Sequence, residues 1–296
     1  QLPSLKGATW HHHENPKHYY APVRRFSLYR VEFKSWPEAR RKREGHRPFP
    51  LWARNKRGGV QFGPGLGNWV WEPEYALLLK YFPDDVIVHD WLEFIPGDPT
   101  LPFGWVDDLY LQRLEYKNRG YGAERILKLA LNSLYGKMAQ QTGARQDKGG
   151  AWRLPPFHQL EWAGWVTSST RAKLFHAAML APDDIIAFET DAVFSLSPLP
   201  LPTSKALGDW GCDVLTGLTY VQTGVSWAHT EDKTKAKYRG FDHESLTEED
   251  VLNAWRVGLS SVPGSTTRFQ SLGYSFNVGD LRGWRQWIKK ERNLVV

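Results

Sequence analysis

The sequence has a single cysteine and no hydrophobic run long enough to cross a membrane. Because Cys212 has no second thiol to pair with, a disulfide framework is excluded. A membrane-spanning helix needs about 18 consecutive apolar residues, and no segment of the chain provides them. Repeats of fixed period and low-complexity tracts are also missing, so the composition excludes repeat architectures and biased, disordered segments.

The composition is that of a folded protein with a sizeable core. The 296 residues are 41% hydrophobic and 24% charged, enough for one large domain or two ordinary ones. Lys and Arg exceed Asp and Glu by 38 to 32, and this mild excess is compatible with a polyanionic partner. The chain opens with Gln1-Leu2-Pro3 instead of a methionine, and we expect it to be a fragment of a longer protein.

Hydrophobic periodicity predicts a mixture of strands and helices. Residues 1–20 and the basic run 40–43 are predicted as loops, the latter either a solvated connection or a phosphate-backbone patch. Three consecutive side chains cannot converge on one ion, so His11-His12-His13 favours a solvated loop over a metal site. The main predicted strands are 25–33, 86–94, 185–188 and 192–196, and the main predicted helices are 73–82, 105–120, 123–140, 163–180 and 247–257.

One predicted helix carries two different stripes. Leu127, Leu131, Leu134 and Met138 recur at helical spacing and form an apolar stripe. A second stripe, rotated by about 100°, presents an amine, an amide and a phenol. An ammonium that binds phosphate, followed by an amide and an aromatic ring, suits recognition of a nucleoside triphosphate. The alternative is an amphipathic helix whose polar stripe, Lys128, Asn132 and Tyr135, only faces water.

The second chemical signal is a pair of carboxylates between two apolar strands. Glu189-Thr190-Asp191 lies between residues 185–188 and 192–196, so a tight hairpin would hold both acids at its tip. Two carboxylates this close resist ionisation unless a cation lies beside them. One interpretation of the pair is that it forms half of a two-metal phosphoryl-transfer site. The alternative interpretation is an acidic turn in solvent.

Together the two motifs resemble those of family B DNA polymerases. The run K-x-x-x-N-S-x-Y-G at residues 128–136 is similar to the fingers motif, and E-T-D at 189–191 is similar to the palm carboxylate motif. Weaker similarity extends over nearly the whole chain. It lies at residues 107–120, 165–171, 207–210, 222–225, 238–241, 268–269 and 284–287.

The resemblance implies an α+β polymerase fold. We expect an antiparallel palm sheet with helices, a helical fingers insertion and the start of a thumb. The expected division is 1–104 for the N-terminal part of the palm, 105–145 for the fingers helices, 146–245 for the palm with the carboxylate hairpin, and 246–296 for a thumb-like part.

The resemblance also implies roles for individual residues. Asp191 would bind the catalytic metals, with Glu189 as the second catalytic carboxylate. The expected nucleotide-binding residues are Lys128 for the triphosphate, Arg113 or Lys117 for its outer phosphates, and Asn132, Tyr135 and Gly136 around the nascent base pair and sugar. The expected DNA-binding residues are Lys233, Lys235, Lys237, Arg239 and Gly240.

Three departures from the family pattern bear on catalysis. Glu189 stands where the family has aspartate, and Gly224-Val225-Ser226-Trp227 stands where a lysine-x-tyrosine primer-gripping element is expected. The family also has an aspartate upstream of the fingers, which we expect to lie just before Gln1. With one bridging aspartate, the chain should bind magnesium poorly and catalyse weakly or not at all.

The resemblance implies template-directed DNA synthesis, in which a deoxynucleotide is transferred to a primer 3′-hydroxyl with two Mg²⁺ ions, or Mn²⁺. The implied partners are primer-template DNA and dNTPs, with a terminal protein primer or an upstream polymerase segment as further candidates and no membrane. The expected source is a phage or mobile element, and the expected location is the cytoplasm, of a bacterial host if a phage encodes it. The alternatives are an inactive nucleic-acid-binding remnant and, less favoured, an unrelated metal-dependent phosphotransferase.

Overall fold

The computed structural model describes residues 2–15, 20–45, 47–54, 60–140, 145–147, 149–155, 157–204, 206–279 and 286–296. The chain divides into two compact units, Gln1–Gly211 and Cys212–Val296. Both units combine helices with antiparallel strand pairs, which agrees with the predicted α+β class.

The first unit contains the elements that carry both sequence motifs. Its helices are α1 (Glu38–Glu44), α2 (Glu72–Tyr81), α3 (Trp105–Asn118), α4 (Ala123–Ala139) and α5 (Leu160–Ala178). Its strands are β1 (Thr9–Glu14), β2 (Leu28–Phe33), β3 (Trp52–Arg54), β4 (Val60–Phe62), β5 (Gly67–Trp71), β6 (Val86–Ile95), β7 (Arg145–Gln146), β8 (Trp152–Arg153), β9 (Ile185–Glu189) and β10 (Ala192–Ser195).

A four-stranded antiparallel sheet with the order β1-β6-β2-β5 forms the base of this unit. Alternate residues of β2 are buried, because successive side chains in a strand point to opposite faces. The Tyr29 ring of β2 stacks on the Tyr75 ring of α2 with 4.0 Å between centroids. Phe175 of α5 joins the same buried cluster, so the core holds α2 and α5 on the sheet.

The predicted loop over residues 1–20 is wrong where the chain forms β1. This strand pairs with β6, and the His13 ring stacks on Trp91 at 4.7 Å while its Nε2 lies 2.9 Å from Glu93. Polar residues of an edge strand owe their conformation to partners across the sheet, which the local pattern does not contain. Gln1 and residues 16–19 of the predicted loop lie outside the described residues.

The predicted loop at the basic run 40–43 is also wrong, because these residues form most of helix α1. Arg40 donates two hydrogen bonds of 2.9 Å to Asp85, and Lys42 lies 2.8 Å from Glu38 one turn earlier. Arg43 is paired with Glu44. Because three of the four basic side chains are already paired, the structure favours a structural role for this run over a phosphate-backbone patch.

The predicted helices around the first motif are confirmed with small shifts at their ends. Helix α3 ends before Gly120, whose φ of 71° is a left-handed conformation that glycine adopts without strain. Helix α4 then begins at Ala123 and packs against α3 and α5. Helix α5 begins at Leu160, three residues earlier than the periodicity predicts.

The second unit has its own core. Its elements are β11 (Gly217–Gln222), β12 (Val225–His229), β13 (Thr234–Tyr238), α6 (Glu248–Arg256), β14 (Ser261–Phe269), α7 (Leu272–Val278) and β15 (Trp287–Val295). Strands β11, β12 and β13 form one antiparallel sheet, and β14 pairs with β15. Val225, Leu246 and Leu294 are almost completely buried together.

No helix in the described part of the chain is both long enough and apolar enough to span a bilayer.

Candidate functional site

Helix α4 shows the two stripes that the sequence predicts. Leu127, Leu131 and Leu134 are half-buried and Met138 is buried, so this side of the helix faces the protein. The polar stripe is exposed along its whole length, and Tyr135 keeps 41% of its surface accessible. The helix therefore presents an amine, an amide and a phenol in a row to solvent.

Lys128 is the cation of this stripe. It forms no ion pair in the part of the chain that the structure describes, and it is exposed. Gly136 follows at the end of the stripe, and nothing lies within 4 Å of the position that a side chain would occupy there. The surface around Tyr135 is open, and the Lys128 ammonium is available to an anion.

The two other predicted phosphate-binding residues differ in their surroundings. Arg113 of α3 is mostly buried, and its Nε lies 3.0 Å from Oε1 of Glu124, which ties α3 to α4. Lys117 is exposed and has no ion pair among the described residues. Between these two, Lys117 is therefore better placed to bind a phosphate, because Arg113 would first have to leave Glu124.

The predicted carboxylate hairpin is confirmed as a tight turn between β9 and β10. Glu189 is paired with Ala192, so Thr190 and Asp191 alone form the turn. The two acids have different environments: Glu189 is only 4% exposed, whereas Asp191 is exposed. The hairpin therefore presents one carboxylate to solvent instead of the predicted pair. The roles of both residues in catalysis stay predictions.

The turn contains a strained residue. Thr190 has a φ of 43°, in the left-handed region that β-branched residues rarely adopt. Asparagine tolerates this region, so Thr190→Asn is expected to raise the free energy of unfolding by about 0.5–1 kcal/mol in urea denaturation. Thr223→Asn, in a turn where Gly224 adopts the positive φ, is the control and should leave stability nearly unchanged. Equal effects at both positions would show that strain at Thr190 is not the cause.

Helix α5 supports both motif-bearing elements, because it contacts α4 and also β10. It is held to α2 by a buried carboxylate. Glu74, 6% exposed in its side chain, accepts hydrogen bonds from Arg171 at 2.7 and 2.9 Å and from the Ser168 hydroxyl at 2.6 Å. The polar stripe of α4 and the carboxylate hairpin thus share one anchored helix.

Arg171 also lies near the polar stripe. Burial alone would lower the pKa of its guanidinium, but the hydrogen bonds and charge of Glu74, with a contribution from Tyr135, raise it. The Arg171 guanidinium therefore stays charged beside Glu74. Sequence reasoning did not assign a role to Glu74 or Arg171. The available signals were a glutamate within the apolar helix α2 and Ser168 and Arg171 one turn apart on α5.

The donor set does not make a complete magnesium site. Magnesium prefers carboxylate and other oxygen ligands in near-ideal octahedral geometry. Within the described residues, no group of three or more His, Cys, Asp or Glu side chains could hold a metal ion. Asp191 is exposed whereas Glu189 is buried, so the two acids do not present a pair of carboxylates to solvent.

The predicted DNA-binding residues lie on or beside β13 in the second unit. Lys233, Lys235 and Lys237 are exposed, and Nζ of Lys235 lies 2.6 Å from the carboxylate of Asp213. Gly240 has a φ of 82°, and its carbonyl oxygen accepts a 3.1 Å hydrogen bond from Arg292. Three exposed lysines therefore lie within five residues on or next to β13, and their role in binding DNA stays a prediction.

Comparison with known proteins identifies a similar fold but no family. No family model matches the sequence, and no match is found among curated proteins. Phi29 DNA polymerase complexed with primer-template DNA is 15% identical, with a TM-score of 0.56 over 96% of this chain and 53% of the polymerase. Its orthorhombic crystal form is 14% identical, with a TM-score of 0.56 over 99% and 52% of the two chains.

The same polymerase in a ternary complex with primer-template DNA and incoming nucleotides is 18% identical, with a TM-score of 0.54 over 90% and 50% of the two chains. The chain thus spans about half the length of these polymerases. At these identities the likeness concerns the fold, and the chain has a polymerase-like fold.

Proposed function

We propose that this chain is the nucleotide- and primer-template-binding portion of a DNA polymerase of the family B type, with palm, fingers and thumb-like parts. The single observation that carries the proposal is helix α4. Its apolar stripe faces the protein while Lys128, Asn132 and Tyr135 are exposed in a row. This order of ammonium, amide and phenol suits recognition of a nucleoside triphosphate. The polymerase-like fold supports the same function.

The residues of α4 have separable roles in this proposal. The Lys128 ammonium binds the triphosphate of an incoming deoxynucleotide through charge-assisted hydrogen bonds. Asn132 and Tyr135 border the nascent base pair, with Tyr135 beside the sugar, where it excludes ribonucleotides. Lys117 contributes to the outer phosphates. The open surface at Gly136 leaves room for these groups.

The basic residues around β13 contact primer or template backbone in this proposal. Each lysine that neutralises a phosphate releases a condensed counterion, so affinity falls as salt rises. Phosphate contacts do not distinguish one base sequence from another. Contacts from Lys233, Lys235 and Lys237 therefore suit a protein that binds any primer-template.

Transfer of the deoxynucleotide requires more than the described residues supply. Magnesium or manganese would polarise the reacting phosphate, and Asp191 is the one exposed carboxylate of the hairpin that could contribute to holding it. We propose that a further carboxylate comes from an upstream polymerase segment. On its own the chain is then a binding protein with little or no transferase activity. A terminal protein that primes synthesis remains a candidate partner.

The proposal is tested by template-directed nucleotide binding, which does not depend on catalysis. A fluorescent primer-template with a dideoxy-terminated primer is titrated with the chain, and anisotropy gives the dissociation constant. The dNTP complementary to the next template base is expected to lower this constant by about ten-fold, close to 1.4 kcal/mol. The three other dNTPs are the matched controls and should have little effect.

The alternative function is an inactive nucleic-acid-binding remnant, which the single exposed carboxylate favours. A remnant would bind the same duplex with a normal salt dependence, but all four dNTPs would act alike. Binding without discrimination between dNTPs would therefore contradict the polymerase proposal. Absence of duplex binding would contradict both functions.

A further inference from the structure

A cavity of about 400 Å³ lies within the first unit. Its walls come from the segment after α1, from the end of β4 and the residues that follow it, from α2 and α5, and from β9. Four phenylalanines contribute aromatic surface to the walls. They are Phe49, Phe62, Phe175 and Phe188. Cavities of roughly 300–1,000 Å³ with mostly apolar walls are typical of sites for small molecules.

Among the residues that the structure describes, every charged side chain in the wall has an ionic partner. The charged atoms of Glu44 and Arg40 are 3.2 Å apart, those of Arg47 and Asp183 are 3.0 Å apart, and those of Glu74 and Arg171 are 2.7 Å apart. The described wall therefore offers a ligand no charge that lacks a partner. A charged molecule would lose hydration on entering and would have to compete with these existing ion pairs for a partner.

The entrance has apolar side chains that the protein leaves uncovered. Phe62 of β4 is 64% exposed, and Phe188 of β9 is 36% exposed. Leu77 of α2 also lines the cavity and is partly buried against the core. A molecule in the cavity would cover aromatic surface that is otherwise in contact with water, which favours binding in proportion to the area removed from solvent.

From this neutral, aromatic-walled cavity we infer a binding site for an uncharged, mainly aromatic small molecule. Aromatic rings of such a ligand would pack edge-to-face or offset against the phenylalanines of the wall. The ligand would also contact Phe188, which directly precedes Glu189 in β9. Occupation of the cavity should therefore restrain the carboxylate hairpin. The inference does not depend on the polymerase proposal.

The test uses N-phenyl-1-naphthylamine, an uncharged aromatic probe whose fluorescence rises in apolar surroundings, with the full chain. Its sulfonated analogue, 8-anilinonaphthalene-1-sulfonate, has the same rings and adds one negative charge. The uncharged probe is expected to bind saturably with one site, and the sulfonate at least about ten-fold more weakly, because each cation of the described wall is already paired with a carboxylate. Bound probe should also slow amide hydrogen exchange in β9.

Two variants test whether the probe binds in the cavity. Leu77→Trp fills it from α2, and Phe62→Ala removes an aromatic wall without adding bulk; each should weaken binding by at least about five-fold. Phe276→Ala is the matched control, because Phe276 lies in the second unit and is 66% exposed. Unchanged affinity in both Leu77→Trp and Phe62→Ala, tight binding of the sulfonate, or no saturable binding of the uncharged probe would each overturn the inference.

Discussion

Replacing Lys128 with alanine is expected to remove most of the tightening that the correct dNTP produces on the primer-template complex. A hydrogen bond to a charged group contributes about 1.5–3 kcal/mol, which corresponds to a loss of roughly ten- to 100-fold in nucleotide affinity. Because Lys128 is exposed and has no ion pair in the described part of the chain, its removal should leave stability nearly unchanged. The measurement is the dNTP dependence of duplex binding by anisotropy.

The same helix provides the control for this experiment. Lys137 is also on α4 but lies on the opposite side of the helix from Lys128, about 180° around its axis. Its ammonium is 5.6 Å from the Phe157 ring. Lys137→Ala should keep the dNTP effect at the wild-type level. Lys128→Arg keeps the charge and should retain part of the effect. If Lys128→Ala and Lys137→Ala lose the dNTP effect equally, the polar stripe is not the triphosphate site.

Replacing Glu74 with alanine is expected to give the largest loss of stability. The carboxylate is buried and accepts three hydrogen bonds, so its removal leaves Arg171 and the Ser168 hydroxyl without their partner. Breaking a buried pair costs about 3–5 kcal/mol, and the 43% exposure of the Arg171 side chain reduces the expected loss to about 2–3 kcal/mol. Urea denaturation followed by circular dichroism measures the change in the free energy of unfolding.

A second pair and a second variant make this result specific. Glu115 and Arg119 form an exposed pair on and just after α3, so Glu115→Ala should cost at most about 0.5 kcal/mol. Replacing Arg171 with methionine in the Glu74→Ala background removes the unpaired charge and should recover part of the lost stability. A Glu74→Ala variant as stable as Glu115→Ala would show that the anchor does not hold α5.

The two experiments separate structure from function. Lys128→Ala should change nucleotide binding without changing stability, because its side chain contacts solvent. Glu74→Ala should change both, because α5 carries α4 on one side and β10 on another. The anchor therefore matters for any function of this site, whether or not the polymerase proposal holds.

Much of the candidate site could be predicted from local patterns. The two stripes of α4 follow from a period of 3.6 residues, and the burial of its leucines confirms them. The β9–β10 hairpin follows from two apolar runs around a short polar turn. Neither pattern showed that Glu189 would be buried while Asp191 is exposed, because that depends on what packs beneath the hairpin.

Elements stabilised by distant partners were the ones that local patterns missed. The strand β1 contains three consecutive histidines and is stabilised by its pairing with β6, about 80 residues later in the chain. Helix α1 contains a basic run whose side chains find partners at Glu38, Glu44 and Asp85. In both segments, a polar sequence resembles a loop until its partners are known.

The order of residues by itself determined helices α2 to α6, the hairpin and the type of chemistry that α4 and the hairpin present, since these depend on spacing within one segment. Only the folded chain decided that one helix, α5, supports both α4 and β10, and that Glu74 anchors that helix through Arg171. It also decided that a neutral cavity remains between α2, α5 and β9. The reason is that such contacts join segments far apart in the chain, and their geometry depends on the packing of the whole unit.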